Sequence, residues 1–481
     1  MSSRKKTLIS GITYTAISKY CGILISLAIA GILARLLIPE DFGIVAIAMV
    51  IISFFGIFSD LGFSPAIIQN KDLTEDDLSG LFVFTVWLGI LLSILFFFSA
   101  SFIGTYYESN TLVHLCQILS LNLLFNTINI VPNALLYKNK EFKYLAIRSL
   151  IIQVFTGIIA ILAAFSGAGL YALLINPVIS SIVLLILSYR KYPQKLYFTS
   201  GIVPVRKIFS YSLFQFLFNL INYFSRNLDK LLIGKYLGMN PLGYYEKSYR
   251  LMMLPIQNIT FVITPVLHPV LSDFQNDLRF LASSYERIIR TLAFLGFPLS
   301  IFLFFTAKEL ILLIFGDQWM PSVLVFQILS LSAGVQIVLS SSGSIFQAAN
   351  DTKSLFICGL FSSITNVCGI CIGIFIFKSL EVVAWCLCLT FVINFIQCYL
   401  QMYMKTFKRR PLYPLLRQFL SPFILSLIVL FALWPLHQLS NNWNLFVSFI
   451  AKGILFISLC GIYIQLSGEY NLWEKIKNQL K

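Results

Sequence analysis

Charge is scarce in this chain. Asp, Glu, Lys and Arg together make up 11% of its 481 residues, against about 25% in an ordinary soluble domain. That shortage excludes a solvated globular fold. Histidine is nearly absent: His114, His268 and His437 stand far apart and suggest no metal site. Nine cysteines lie in or near apolar stretches. The one C-x-x-C pair, Cys368 and Cys371, falls inside such a stretch with no second pair and no nearby His. It reads as packing, not as zinc or redox chemistry. No Gly-rich phosphate loop of the Walker type is present, which argues against ATP hydrolysis within the chain. No nucleophile stands beside a base at an interpretable spacing.

What is present is apolar. Hydrophobic residues make up 58% of the chain, and the mean hydropathy is +0.85. A run of about 20 apolar residues spans a bilayer as a helix. Fourteen such runs are expected: 10–34, 42–68, 80–104, 113–136, 144–166, 168–189, 208–234, 242–268, 288–307, 321–347, 355–377, 382–404, 418–438 and 444–467. Spans 7 and 8 are the least hydrophobic. Met1 to Lys6 is basic, but the long apolar run after it lacks a small-residue cleavage site, so it is taken as span 1 and not as a cleavable signal. The expected class is an all-α polytopic membrane protein.

Lys and Arg gather in cytoplasmic loops. With the N-terminus inside, the outer loops hold only Arg35, Lys235, Lys308 and Lys378, and most of the 35 basic residues fall on the inner side. Both termini are therefore expected in the cytoplasm. The net charge of +15 is mostly topology. Spread over many short loops, it is a poor fit to nucleic-acid binding.

The chain repeats itself. Gln117 to Leu121 and Gln327 to Leu331 both read Gln-Ile-Leu-Ser-Leu, 210 residues apart. Lys143 and Leu145 fall on Lys353 and Leu355 at the same offset. Earlier the offset is 200: Arg35 falls on Lys235, Leu37 on Leu237, Gly43 on Gly243 and Pro65 on Pro265. The ten-residue difference is expected in a longer loop after the second Pro. Six spans separate the copies, so both halves share one orientation, as in parallel repeats. The expected division is a six-helix lobe over 1–195, a second over 196–404, and an extra helix pair with an interfacial tail over 405–481. The linker is expected between Arg190 and Lys207. In the tail, Leu472, Trp473, Ile476 and Leu480 share one helical face, as in a helix lying on the membrane surface.

Ionisable residues inside a bilayer are costly and mark functional sites by default. Lys19, Asp60, Arg226, Asp229, Lys230, Glu246, Lys247 and Arg250 fall in spans 1, 2, 7 and 8, the first two spans of each half. Asn219, Asn222, Tyr223, Arg226, Asp229 and Lys230 recur at three- and four-residue steps along one face of span 7. Glu246, Tyr249, Arg250 and Gln257 do roughly the same in span 8. Such faces cannot meet lipid. Five basic residues against three acids suit an anionic ligand such as a phosphate or pyrophosphate in a wet central cavity. The structural readings stand beside these. Asp229 pairs internally with Arg226 or Lys230, and Lys247 and Arg250 snorkel from a helix end. Asp60 caps a broken helix or couples transport to a cation. Pro65 and Pro265 are hinges or plain helix ends.

Several short stretches carry a family resemblance. They are Ala34-Arg35-Leu36-Leu37, Pro39 to Gly43, Asp60-Leu61-Gly62-Phe63 running to Gln69, and Lys71 to Thr74. In the second half they are Leu242 to Tyr245, Tyr249-Arg250-Leu251 and Gly316 to Trp319. In their joint order the chain resembles the Wzx-type polysaccharide flippases, in the branch with the colanic-acid exporter. These belong to the multidrug/oligosaccharidyl-lipid/polysaccharide exporter superfamily. The resemblance implies two pseudo-symmetric six-helix bundles around a central cavity, working by alternating access. It implies an undecaprenyl-pyrophosphate-linked oligosaccharide, for O-antigen, capsule or exopolysaccharide, moved across the bacterial inner membrane beside a polymerase and export machinery. Basic residues on the first, seventh and eighth helices, here Lys19, Arg226 and Arg250, would bind the pyrophosphate, with Lys230 and Lys247 nearby. No cofactor is expected; coupling to H+ or Na+ through Asp60, Asp229 or Glu246 is open. The extra helix pair resembles that of the related lipid II flippase. Two other classes compete. A drug or cation antiporter of the same superfamily would prefer an acidic cavity. A membrane polymerase or ligase of the same pathway would need a longer, reactive outer loop.

Overall fold

The computed structural model describes residues 3–195 except Lys71, then Leu220, Tyr223, Phe224 and 226–467 except Asp273 and Asn276. The side chains of 3–12, 261–266, 268–270 and 441 are also outside the description. Asn219, Asn222 and the tail from 468 therefore lie outside the described residues, as do the side chains of Pro265 and His268.

Among the described residues the secondary structure is helical, with no strand. The first part holds α1 (Ser3–Leu36), α2 (Pro39–Asp60), α3 (Phe63–Gln69), α4 (Glu75–Tyr107), α5 (Asn110–Ile128), α6 (Ile130–Lys138), α7 (Phe142–Phe165), α8 (Ala172–Lys191) and α9 (residues 226–236). Then come α10 (Met239–Ser272), α11 (Leu278–Phe305), α12 (Ala307–Phe315), α13 (Met320–Leu331), α14 (Ala333–Leu339), α15 (Ser342–Ala348), α16 (Thr352–Cys371), α17 (Leu380–Gln401), α18 (Tyr413–Leu439) and α19 (Leu445–Leu466). A wider π turn extends α16 to Ile376 and another extends α17 to Thr406.

Eleven of these helices are long and apolar enough to cross a membrane, or twelve if the bent pair Asp317–Leu331 and Ala333–Ala348 is one span. The protein is a multi-pass membrane protein. Span 7 falls largely outside the described residues. Span 8 is the 34-residue α10, which carries Glu246, Lys247 and Arg250.

Local chemistry sets the helix ends. Thr74 and Asp77 cap α4 reciprocally, each backbone N–H bonding the other's side chain at 3.1 Å, a capping box that satisfies two orphan donors. Three acids in its first turn favour the positive end of the helix dipole. Asp277 accepts from the N–H groups of Arg279 and Phe280 to start α11, and Asp351 from that of Ser354 to start α16.

By contacts the chain divides into two compact units, Met1–Gly243 and Tyr244–Lys481, with the boundary inside α10. Residues 196–207 of the expected linker lie outside the description. The repeat is visible in the element order. α2 with α3 matches α10, and α4 matches α11 with α12. Next, α5 matches α13 with α14, α6 matches α15, α7 matches α16, and α8 matches α17. The expected longer loop is not where the extra residues sit. Five residues connect α3 to α4 and five connect α10 to α11. The added length lies in the end of α10, in α11–α12, which breaks at Thr306, and in the turn before α13.

Candidate functional site

In the first unit α2 packs on α5 and α4. Its N-terminus meets the start of α10 at a backbone-to-backbone crossing. A Cβ on Gly43 would lie 1.9 Å from the carbonyl oxygen of Met239, and one on Gly243 would lie 2.1 Å from that of Pro39. Pro39 and Met239 are themselves matched by the 200-residue offset. The crossing is thus symmetric, and only glycine permits it. Helix α9 is tied into the same unit. The Tyr223 hydroxyl, just before α9, donates to the Val50 carbonyl, and its ring lies 5.6 Å from that of Phe54. Tyr107 donates to Leu231 O at 3.2 Å. Lys235 pairs with Glu108 at 2.9 Å and sits 5.0 Å from the Tyr106 ring centroid.

Each expected site residue now has a place. Lys19 is half-buried on α1, where neighbouring Ser18 bonds Ser149 at 3.1 Å and Gly22 O accepts from Gln153 at 2.8 Å, both on α7. Arg226, Asp229 and Lys230 share α9: Arg226 is exposed, Asp229 buried and Lys230 half-buried. Asp60 ends α2, and its Oδ1 accepts from Ser64 N at 3.3 Å and Ser64 Oγ at 2.8 Å. It thus bonds the second residue of the short α3, whose N-cap is Gly62. Pro65 is the third residue of α3, a position where no intrahelical N–H is required. The bend before it arises from Leu61 (φ 42°) and Gly62 (φ 76°). Backbone α10 runs unbroken through Pro265.

In the second unit the charges of α10 separate. Glu246 is half-buried and Arg250 exposed, one turn apart. Lys247 turns elsewhere. It is 3% exposed, with its ammonium 5.1 Å from the Phe315 ring centroid and 5.5 Å from that of Trp319. Cation–π attraction and burial fix it there.

Three buried charge sites escaped the sequence reading. Lys452, in the middle of α19, is 1% exposed. It forms a short ion pair with Glu309 of α12 and reaches Phe305 O and His437 Nδ1, both at 3.0 Å. Ser448 adds a 2.6 Å bond to Glu309. Buried Glu286 of α11 takes Arg410 at 3.1 Å and the Tyr403 hydroxyl at 2.9 Å. In the first unit Arg148 of α7 is buried and donates to Ser188 Oγ at 2.6 Å and Asn133 Oδ1 at 3.0 Å. Lys452 and Arg148 satisfy the rule that singled out Lys19: an ionisable residue inside an apolar run. Attention to the first two spans of each half passed them over.

The family model described as polysaccharide biosynthesis protein matches residues 32–324. The chain belongs to this polysaccharide biosynthesis family. Among its relatives, the teichuronic acid biosynthesis protein TuaB of Bacillus subtilis (strain 168) is 26% identical over 412 residues, 82% of each chain. The lipopolysaccharide biosynthesis protein WzxC of Escherichia coli (strain K12) is 27% identical over 383 residues, covering 78% of this chain and 76% of that protein. In fold, this family member resembles the lipid II flippase MurJ in an inward closed conformation. The TM-score is 0.75 at 17% identity, over 95% of this chain and 98% of that one. It also resembles an inward-facing multidrug resistance MATE family transporter of the MOP superfamily. There the TM-score is 0.62 at 16% identity, over 83% of this chain and 99% of that one. The fold is therefore that of the MurJ and MATE transporters.

Proposed function

We propose that this protein flips a lipid-linked oligosaccharide across the membrane for surface polysaccharide synthesis, exposing its binding site alternately to either side. One observation carries the choice of flippase over drug antiporter. The MATE transporter spends 99% of its own length on 83% of this chain, whereas the lipid II flippase accounts for 95%. The shortfall is the size of segment 405–481, which holds α18 and α19. Family membership supports the pathway. An enzyme reading has no support from either kind of relative.

The substrate is an oligosaccharide on undecaprenyl pyrophosphate, carried from the inner to the outer leaflet of the bacterial cytoplasmic membrane, with both termini of the protein in the cytoplasm. Arg226 and Arg250, the exposed guanidiniums, each offer planar paired donors for phosphate oxygens. Lys19 and Lys230 add positive charge. Lys247, held against Phe315 and Trp319, is assigned to packing. Asp229 and Glu246 balance the arginines or take a coupling cation. A polymerase and export machinery would consume the product.

Complementation tests the reading. The gene is deleted in its native host, and wild type, Arg226→Ala and Arg250→Ala are returned. The expected result is loss of surface polysaccharide with lipid-linked repeat units retained on the cytoplasmic face, rescued by wild type and poorly by either variant. Full rescue by both variants would demote the arginines to ion pairs. Repeat units that reach the outer face unpolymerised would overturn the flippase reading in favour of an enzyme.

A further inference from the structure

A cavity of about 270 Å³ lies between α2 and α5, within the first unit. Helix α2 contributes Met49, Ser53, Gly56 and Asp60. Their spacing of four, three and four residues places them on one face. Helix α5 contributes Asn122 and Asn126, one turn apart. Ser53 and Asn126 are exposed. The Ser53 hydroxyl donates to Met49 O at 2.6 Å, but an exposed amide such as that of Asn126, in a helix this apolar, faces water or a ligand, because lipid offers it no partner.

Three details give the cavity a chemical character. Both bonds from Ser64 fall on Oδ1 of Asp60, which leaves its second oxygen available to a ligand. A Cβ on Gly56 would meet nothing within 4 Å. Packing does not demand glycine there, and its lack of a side chain leaves the cavity open. Among the described residues no Lys, Arg or His lines the space, and the one charged group there is a carboxylate. A pyrophosphate would be repelled. A neutral ring bearing many hydroxyls would be held, since carboxylate, amide and hydroxyl groups exchange hydrogen bonds with hydroxyls while Met49, Ile52 and Leu123 cover its C–H faces.

We propose that the α2–α5 cavity is a sugar subsite, which receives a pyranose ring of the transported oligosaccharide and makes binding depend on the glycan as well as on the carrier. This rests on the flippase reading above, and it assigns Asp60 to sugar recognition instead of cation coupling.

The test uses the full chain purified in detergent and two probes. One is bare undecaprenyl pyrophosphate. The other is the same carrier bearing the repeat unit, extracted from the deletion strain. Dissociation constants are measured by titration in native mass spectrometry. Wild type is expected to prefer the glycosylated carrier about tenfold, the equivalent of one or two net hydrogen bonds. Gly56→Leu fills open space on a helix and should fold, which its melting temperature checks. It should abolish the preference while leaving the affinity for bare carrier unchanged. Asp60→Asn should reduce the preference in part, and Arg226→Ala should weaken both probes equally. The subsite is overturned if Gly56→Leu keeps the preference, or if wild type binds both carriers equally well. It is likewise overturned if Asp60→Asn alters only a sodium dependence. Failure of wild type to bind either carrier would instead overturn the flippase reading itself.

Discussion

Residues 39–69 and 239–269 correspond at a constant offset of 200, yet the two copies are built differently. The first copy breaks at Leu61 and Gly62, where the backbone turns left-handed, and Asp60 bonds Ser64 in the short helix that follows. The second copy, with Phe261 and Val262 at those positions, runs unbroken to Ser272. A β-branched residue resists the left-handed region that glycine adopts freely. The first copy lines its cavity with Ser53, Gly56 and the carboxylate of Asp60, whereas the second carries Glu246 and Arg250 at positions matched to Ala46 and Val50. What both copies keep is the crossing of Gly43 and Gly243. Duplication has preserved the contact that demands glycine and has let the polar positions diverge.

The two units also hold buried cations by different means, and this sets the largest expected effect. Lys452→Ala strands Glu309 as an unpaired buried charge, for a cost of about 3–5 kcal/mol. Arg148→Met removes a cation whose partners here, Ser188 and Asn133, are neutral, for a cost of about 1–3 kcal/mol. Unfolding in detergent reads both; equal losses would erase the distinction. Next is the shared crossing. Gly43→Ala and Gly243→Ala each force a methyl group against a backbone carbonyl, and each should cost about 1–3 kcal/mol. A tolerant member of the pair would show that the crossing is not symmetric in energy. Smaller again is the break. Gly62→Val should cost about 1–2 kcal/mol, while Val262→Gly in the continuous helix should cost about 1 kcal/mol.

The smallest effect is one of pH. Burial by itself would raise the Asp351 carboxyl, but hydrogen bonds from Ser354 and from the Thr406 hydroxyl at 2.7 Å outweigh it and hold the group below its ordinary value. Its stabilisation is present above the ordinary carboxylate range and is lost as pH falls through the lowered value. Asp351→Asn should therefore flatten the acid side of a stability profile and leave the neutral side displaced by a constant amount.

Much of the architecture was legible in the chain. Apolar runs mark the spans because lipid enforces their length, and the two offsets expose the duplication because matched glycines and prolines carry backbone constraints that survive drift. The candidate site was legible in part. Period alone placed Glu246, Lys247 and Arg250 in one span but could not show that Lys247 turns to Phe315 and Trp319, some 70 residues away. The break at Thr306 was hidden because the apolar residues of α12 continue the pattern of α11. Likewise, the α2–α5 cavity joins a stripe of Ser, Gly and Asp to a pair of Asn residues, none of which draws notice singly.

The pairing of Lys452 with Glu309 has a consequence in time. The two residues are 143 positions apart, so at roughly 5–20 residues per second the acid is synthesised about 7–30 seconds before its cation. Until α19 is made, Glu309 lacks the two partners that α19 gives it, Ser448 and Lys452. Neutralisation of the acid on α12 therefore waits on the synthesis of α19.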